Sequence, residues 1–412
     1  MTANNRTVSG MRPTGPLHIG HYFGALKNWI DMQNDHEAFF FVADWHALTS
    51  NYADTSKLPQ YVRDMVVDWM SAGLDPEKCA IYRQSDIRET AELHLLLSMI
   101  TPLGWLERCP TYKEQQQQIT DKDLGNYGFL GYPVLMTADI IQHRPRWVPV
   151  GQDQQPHLEL AREIVRRFNG MYDTQVFPEP EARLTPAAKC PGLDGRKMSK
   201  SYGNGIFLQD TLEDLTPKIK TMFTDPARLR KSDPGNPDVC NLFPYHKLLA
   251  SPEVQAEVRE GCTGATMGCV NCKKMFLQNL QTFLEPLHER RAAILAKPGL
   301  VDEVLAAGRE RAAKSVKETM ALVRAAMGAL FLLGMILFQK RKPDWAGIRR
   351  NWKPLLMSSV AMATEWILLF ESYRYTTVAV ATLCYYMSAV FVIVAAPFIL
   401  KEKITRHKAL CA

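Results

Sequence analysis

Short, continuous apolar runs alternate with stretches carrying apolar residues at every third or fourth position through the first part of the chain. RTVSGM (6–11), AFFFVAD (38–44) and KCAIYRQSD (78–86) predict strands, whereas LPQYVRDMVVDWMSAG (58–73) and AELHLLLSMI (91–100) predict helices. Such alternation needs a helical crossover between strands. It therefore predicts an α/β fold, a doubly wound parallel sheet covered by helices. From about Thr211 the strand signals fade, and LEDLTPKIKTMF, CKKMFLQNLQTFLEPLHERRAAILA and LVDEVLAAGRERAAKSVKETMALVRAAMG predict amphipathic helices of a second domain. After Gly328 apolar runs at 329–338, 354–370 and 376–400 are separated by basic, tryptophan-containing connectors. The last is uncharged from Thr376 to Leu400, enough for the roughly 20 apolar residues that cross a bilayer. The expected division is 1–205, 206–327 and 328–412.

A chain of 412 residues exceeds one ordinary core, in keeping with this division. Its formal charge of +6 suggests an anionic partner only until the charges are located. Eleven of the 49 Lys/Arg but only four of the 43 Asp/Glu lie from Gly328 onward, so the first 327 residues are nearly neutral. Net charge therefore gives no reason to expect nucleic-acid binding by the main body. Five of the nine cysteines stand singly, at 79, 109, 190, 384 and 411, and no apolar leader opens the chain, which favours a reduced, cytosolic protein. The QQQQ run at 115–118 reads as a solvated loop or helix face.

Chemistry concentrates in two separated segments. SGMRPTGPLHIGHYFGAL follows the first strand and turns into a helix near His18; His18 and His21 then share one side of a helical first turn whose free N–H groups attract phosphate. Alone, such a pair could equally be surface histidines or a metal pair. GRKMSKSYGN sets Lys197 and Lys200 among Ser199 and Ser201 on a glycine-bounded loop, a cationic clamp suited to a triphosphate. Alone, it could be surface decoration. Farther along, GYPVLMTADI places Tyr132, Met136 and Asp139 on one helix face, an apolar wall ending in a carboxylate, and Pro145 should end that helix.

HIGH and KMSKS together resemble the signatures of class I aminoacyl-tRNA synthetases. The ordered set SGMRPTGPLHIGHYFGAL, FFVADWHALTS, GYPVLMTAD, VPVGQDQ and KMSKS is similar to the bacterial tryptophanyl-tRNA synthetase family over about 6–327. The resemblance implies a Rossmann-like catalytic domain, attack of the tryptophan carboxylate on the α-phosphate of ATP with Mg2+ on the leaving pyrophosphate, and transfer to tRNA(Trp) by a homodimer. It implies catalytic roles for His18, His21, Lys197 and Lys200, ATP contacts for Arg12, Thr14, Gly20, Met198, Ser199 and Ser201, and tryptophan contacts for Tyr132, Met136, Asp139 and Gln154. Asp139 would accept from the indole N–H.

Cys240, Cys262, Cys269 and Cys272 form a C-x21-C-x6-C-x2-C pattern, whose spacing alone suits zinc or an iron–sulfur centre. Resemblance to the MRPTG-bearing branch implies a 4Fe-4S cluster in an anticodon-binding domain, with zinc as the alternative. The tail resembles part of an EamA-type transporter. A two-span hairpin from about 354 to 400 would keep both basic flanks in the cytosol and attach the chain to a membrane. Rival readings are a catalytically impaired, membrane-tethered tryptophan or tRNA binder and a transporter fragment.

Overall fold

The computed structural model describes residues 5–110, 112–113, 124–184, 190–198, 202–338, 349–353 and 356–357. Five parallel strands form one sheet in the order β3-β2-β1-β4-β5: β1 (Arg6–Met11), β2 (Glu37–Val42), β3 (Cys79–Arg83), β4 (Trp147–Val150) and β5 (Glu181–Leu184). The chain builds outward from β1 to β3 and then returns to the other side of β1. A crevice opens where that direction reverses, at the carboxyl ends of β1 and β4.

β2 shows why its sequence reads as an unbroken apolar run. Ala38, Phe40 and Val42 enter one core, while Phe39, Phe41 and Ala43 enter the other. Both faces of the strand are covered, as parallel sheets require. The first face receives α1 (Ile19–His21), which continues through a π-helical turn (Tyr22–Leu26) into α2 (Lys27–Met32), and α4 (Leu58–Ala72); α3 (Asp44–Asn51) lies between α2 and α4 in sequence. The second face receives α5 (Glu89–Ser98), α6 (Leu103–Glu107), α7 (Tyr127–Ile141) and α8 (Gln155–Met171). The helix through GYPVLMTADI ends at Ile141, ahead of Pro145, and Arg144 takes a positive φ of 50° before β4 begins.

No described strand follows β5. The chain continues as α9 (Leu212–Thr221), α10 (Phe243–Leu249), α11 (Pro252–Thr263), α12 (Cys269–Leu295) and α13 (Leu300–Phe338). These helices share the sheet's cores: Phe276, Leu280 and Leu284 of α12 join the first, and Ala312, Val316, Met320 and Val323 of α13 join the second. α13 approaches edge strand β3 so closely that a Cβ on Gly308 would lie 1.9 Å from the Ile81 carbonyl oxygen. Arg311, one turn on, donates to the carbonyls of Pro76 and Cys79 at 3.0 and 3.1 Å.

The chain divides into compact units at 1–330 and 331–412. No helix among the described residues is long and apolar enough to cross a membrane. The run at 329–338 ends α13, while the expected spans from 354 to 400 lie outside the described residues apart from 356–357, as does the QQQQ run.

At the end of α7 the His143 ring is wholly buried, stacked on Phe39 with centroids 4.0 Å apart. Its Nε2 bonds the Tyr82 hydroxyl at 2.8 Å and its Nδ1 the Ser315 hydroxyl at 3.1 Å, joining β3, α7 and α13. Burial, with the nearby Arg6 charge, pushes its pKa down to about 3. The unfolded ring protonates near 6.5, so the stability held by the neutral ring is complete above that pH and drains as pH falls toward 3. Stability should fall across this window by up to about 1.4 kcal/mol per pH unit, and the melting temperature with it. A His143→Gln protein, less stable at pH 7, should give a shallower slope in the same series of thermal melts.

Candidate active site

The first signature is held at the switch-point crevice by buried neighbours and backbone pairing. Leu17 and Ile19 point into the core, leaving His18 as the N-cap and His21 one turn later. The His18 N–H donates to His21 Nδ1 at 3.1 Å, and the two rings stack with centroids 3.7 Å apart. Shared placement of the imidazoles, expected from their spacing, is thus present at the first helical turn. The Ile19 N–H donates to the Ile206 carbonyl at 2.9 Å, and the Leu208 N–H to that of Leu17 at 2.9 Å. This short antiparallel pairing fastens the first signature to the segment just after the second.

Pro191 and Lys197 pair across a hairpin, within which the Gly192 N–H reaches the Arg196 carbonyl at 2.6 Å. Asn204 Nδ2 donates to Asp194 Oδ1 at 2.8 Å and to the Lys197 carbonyl at 3.2 Å. Gly192 is required by this crowding: a Cβ there would stand 2.1 Å from Asn204 Nδ2. Ser199, Lys200 and Ser201 lie outside the described residues.

One cavity of about 1430 Å³ is lined by Arg12, Thr14, His18, Gly20, His21, Lys197 and Met198, and also by Tyr132, Met136, Asp139 and Gln154. Every described residue expected to touch ATP or tryptophan therefore opens onto the same space. α7 supplies its apolar wall, with Met136 partly buried and Tyr132 anchored through its hydroxyl to His157 Nε2 at 2.8 Å.

Asp139 is 1% exposed. Its Oδ2 is bonded by His46 Nε2 at 2.9 Å and by Gln84 Nε2 at 2.7 Å, whereas Oδ1 has no hydrogen-bond partner among the described residues. Gln84 Oε1 in turn accepts the N–H groups of Trp45 and His46 at the start of α3, at 3.1 and 3.3 Å. Burial raises the Asp139 pKa and the His46 contact opposes that rise. A buried acceptor without a partner is costly unless a donor completes it. His46, Gln84 and His157 were not singled out from the sequence. No periodicity links positions 46, 84 and 139, although the quoted segment FFVADWHALTS contained His46.

The cysteine expectation fares differently. Cys262 and Cys269 face the Arg228 guanidinium, their sulfurs 3.7 and 3.9 Å from Nη1, and Cys272 Sγ lies 3.3 Å from His246 Nε2. Burial, together with the other three cysteines, pushes the Cys272 thiol up to about 12. Among the described residues, however, no group of three or more His, Cys, Asp or Glu side chains is arranged to hold a metal ion. The donor chemistry suits a soft metal centre; the side chains are not closed around a common point. The expected metal site at Cys240, Cys262, Cys269 and Cys272 is thus not found assembled, and Cys240 instead lines the large cavity.

The family described as tRNA synthetases class I (W and Y) matches residues 1–285, and the EamA-like transporter family matches residues 309–412. The second match starts within α13, upstream of the compositional change at Gly328, and includes residues already packed in the sheet's second core. The chain is 52% identical over 328 residues to the tryptophan–tRNA ligase of Thermotoga maritima, an alignment covering 79% of this chain and 100% of that protein. It is 41% identical over 392 residues to the tryptophan–tRNA ligase of Aquifex aeolicus, covering 78% and 99%. The tryptophanyl-tRNA synthetase of Campylobacter jejuni, solved with ADP and tryptophan, matches with a TM-score of 0.71 at 35% identity, covering 78% of this chain and 99% of that one. With two signatures opening onto one crevice of a parallel sheet, and this agreement along the whole length of its relatives, the chain belongs to the class I tRNA synthetases of the tryptophan and tyrosine group.

Proposed function

We propose that this protein is a tryptophan–tRNA ligase, which activates L-tryptophan with ATP and transfers it to tRNA(Trp). The observation that carries the choice of amino acid is Asp139, a buried carboxylate bordering the cavity, with one oxygen fixed by two donors and the other without a partner among the described residues. Indole supplies one N–H at the edge of a flat apolar ring. Phenylalanine supplies none, and would leave the buried oxygen unpaired, a penalty that discriminates far better than shape alone. Met136 and Tyr132 flank the ring, and Gln154 takes the ammonium group.

In the first step a tryptophan carboxylate oxygen forms a bond to the α-phosphorus as the α–β bridging bond breaks, and pyrophosphate leaves with the bridging electrons. The nucleophile is already anionic, so no protein base is needed and rate comes from alignment and charge stabilisation. His18 and His21 contact the phosphates from the helix start, Lys197 and Lys200 neutralise the departing pyrophosphate, and Mg2+ enters with ATP as part of the substrate. Arg12, Thr14, Gly20, Met198, Ser199 and Ser201 complete the nucleotide surround. Attack by a tRNA terminal hydroxyl on the adenylate carbonyl then releases AMP.

Residues 1–205 serve as the catalytic domain and 206–327 as the anticodon-binding domain, in a cytoplasmic enzyme. Exposed Leu95, Met99 and Leu103 on and beside α5 support a homodimer. Attachment to a membrane through 354–400 is supported by the EamA-like match and by the charge-free run in the sequence. For the cysteines the reading is a 4Fe-4S cluster on Cys240, Cys262, Cys269 and Cys272, supported by their spacing. It assists structure or tRNA recognition, since the ligase chemistry needs no electron transfer.

Tryptophan-dependent ATP/pyrophosphate exchange tests the site. Lys197→Ala should lower kcat by on the order of 10², and exchange at the wild-type rate would remove the clamp from the mechanism. In Asp139→Asn the tryptophan KM should rise about tenfold to a hundredfold, the loss expected for a charged acceptor. Because the Asp139 pKa is raised on folding, the ionised group costs stability at neutral pH, so this variant should melt at or above the wild-type temperature. Anaerobically purified protein should contain iron and acid-labile sulfide in equal amounts; stoichiometric zinc without iron would reject the cluster.

A further inference from the structure

We propose that Asn241 and Tyr245 are positioning residues for the second signature: from α10 and its approach they fix the outer strand of the hairpin that presents Lys197. The inference rests on the ligase reading above, and neither residue is assigned contact with substrate.

The hairpin leaves its outer backbone carbonyls to be satisfied from outside. The Tyr245 hydroxyl donates to the Pro191 carbonyl. Asn241 Nδ2 donates to the Gly192 carbonyl at 2.7 Å, with a longer 3.4 Å contact to that of Leu193. Leu193 is paired further, its carbonyl accepting the Phe223 N–H at 2.9 Å and its N–H reaching the Asn204 carbonyl at 2.9 Å. Three successive carbonyls are thus held, two of them by side chains some fifty residues away in sequence.

Both donors are themselves fixed. Asn241 is 6% and Tyr245 0% exposed, so each polar group would be stranded without the hairpin. The Tyr245 ring packs against Phe276 of α12 with centroids 5.3 Å apart, giving the hydroxyl a rigid base. Across the hairpin from these anchors, Lys197 pairs with Pro191, the residue whose carbonyl Tyr245 holds. A shift of the outer strand is therefore transmitted directly to the lysine backbone. Tyr132, Met136 and Asp139 sit on α7 and Gln154 just after β4, elements separate from α10 and the hairpin. Removing the anchors should consequently impair phosphate chemistry while sparing tryptophan capture.

The experiment compares Tyr245→Phe, which removes only the hydroxyl and keeps the ring in its core, with Asn241→Leu and Asn241→Asp. In pyrophosphate exchange, kcat should fall by about tenfold or more, the scale expected of a misplaced catalytic group. The tryptophan dissociation constant, measured by calorimetry without ATP, should stay within about twofold. Hydrogen exchange supplies a readout independent of turnover: amides of 192–198 should exchange at least about tenfold faster in the variants, with those of β1 to β3 unchanged. Unchanged exchange at 192–198 in all three variants would overturn the inference whatever the activity. So would a parallel loss of kcat and tryptophan affinity, which would mark general loosening rather than positioning. Were the wild-type protein itself to lack pyrophosphate exchange, the ligase reading would fail, while the amide result would still decide whether these side chains hold the hairpin.

Discussion

Two backbone hydrogen bonds, from Ile19 to Ile206 and from Leu208 to Leu17, bring the functional halves of this protein together. Neither signature alone can surround a triphosphate. The helix beginning at His18 offers two imidazoles, and the hairpin ending at Lys197 offers a cation, but they lie far apart in the chain. The antiparallel pairing makes the strip that follows the second signature a direct neighbour of the first. Buried Leu17 and Ile19 on one side, and Ile206 and Leu208 on the other, secure that strip in the first core.

The buried carboxylate of Asp139 obeys a different constraint. Asp139 is buried with only one carboxylate oxygen satisfied, and its raised pKa records the cost of keeping the charge there. His46 and Gln84 reduce that cost by bonding one of its two oxygens. Gln84 also engages the start of α3, so the support for Asp139 joins three separate elements: the loop after β3, α3 and α7. A pocket selective through an unpaired acceptor has to be rigid, because a mobile carboxylate could turn to find a protein donor.

The cysteine-rich region shows how far spacing alone carries an argument. C-x21-C-x6-C-x2-C indicates thiols that can approach one another, and the other three do raise the pKa of Cys272. Spacing says nothing about Arg228, which comes from another loop and faces two of the sulfurs. Likewise, the EamA-like match begins inside a helix whose inner face belongs to the sheet core. Sequence similarity and packing thus draw the boundary at different residues, because α13 serves the first compact unit before its composition turns apolar.

Local pattern determined much of this molecule. The doubly covered β2, the amphipathic helices after Thr211, the stop before Pro145 and the helical face shared by Tyr132, Met136 and Asp139 all follow from period, proline geometry and apolar content, which act over a few residues. β4 and β5 were illegible: each has four residues, Pro149 interrupts the apolar run of β4, and β5 is largely exposed. Only the tertiary structure decided that Asp139 is held by His46 and Gln84, that the two signatures share one cavity, and that Asn241 and Tyr245 secure the hairpin. Those relations depend on hydrogen bonds between segments tens to hundreds of residues apart. Their partners are chosen by how strands and helices pack, a choice that leaves no periodic trace along the chain.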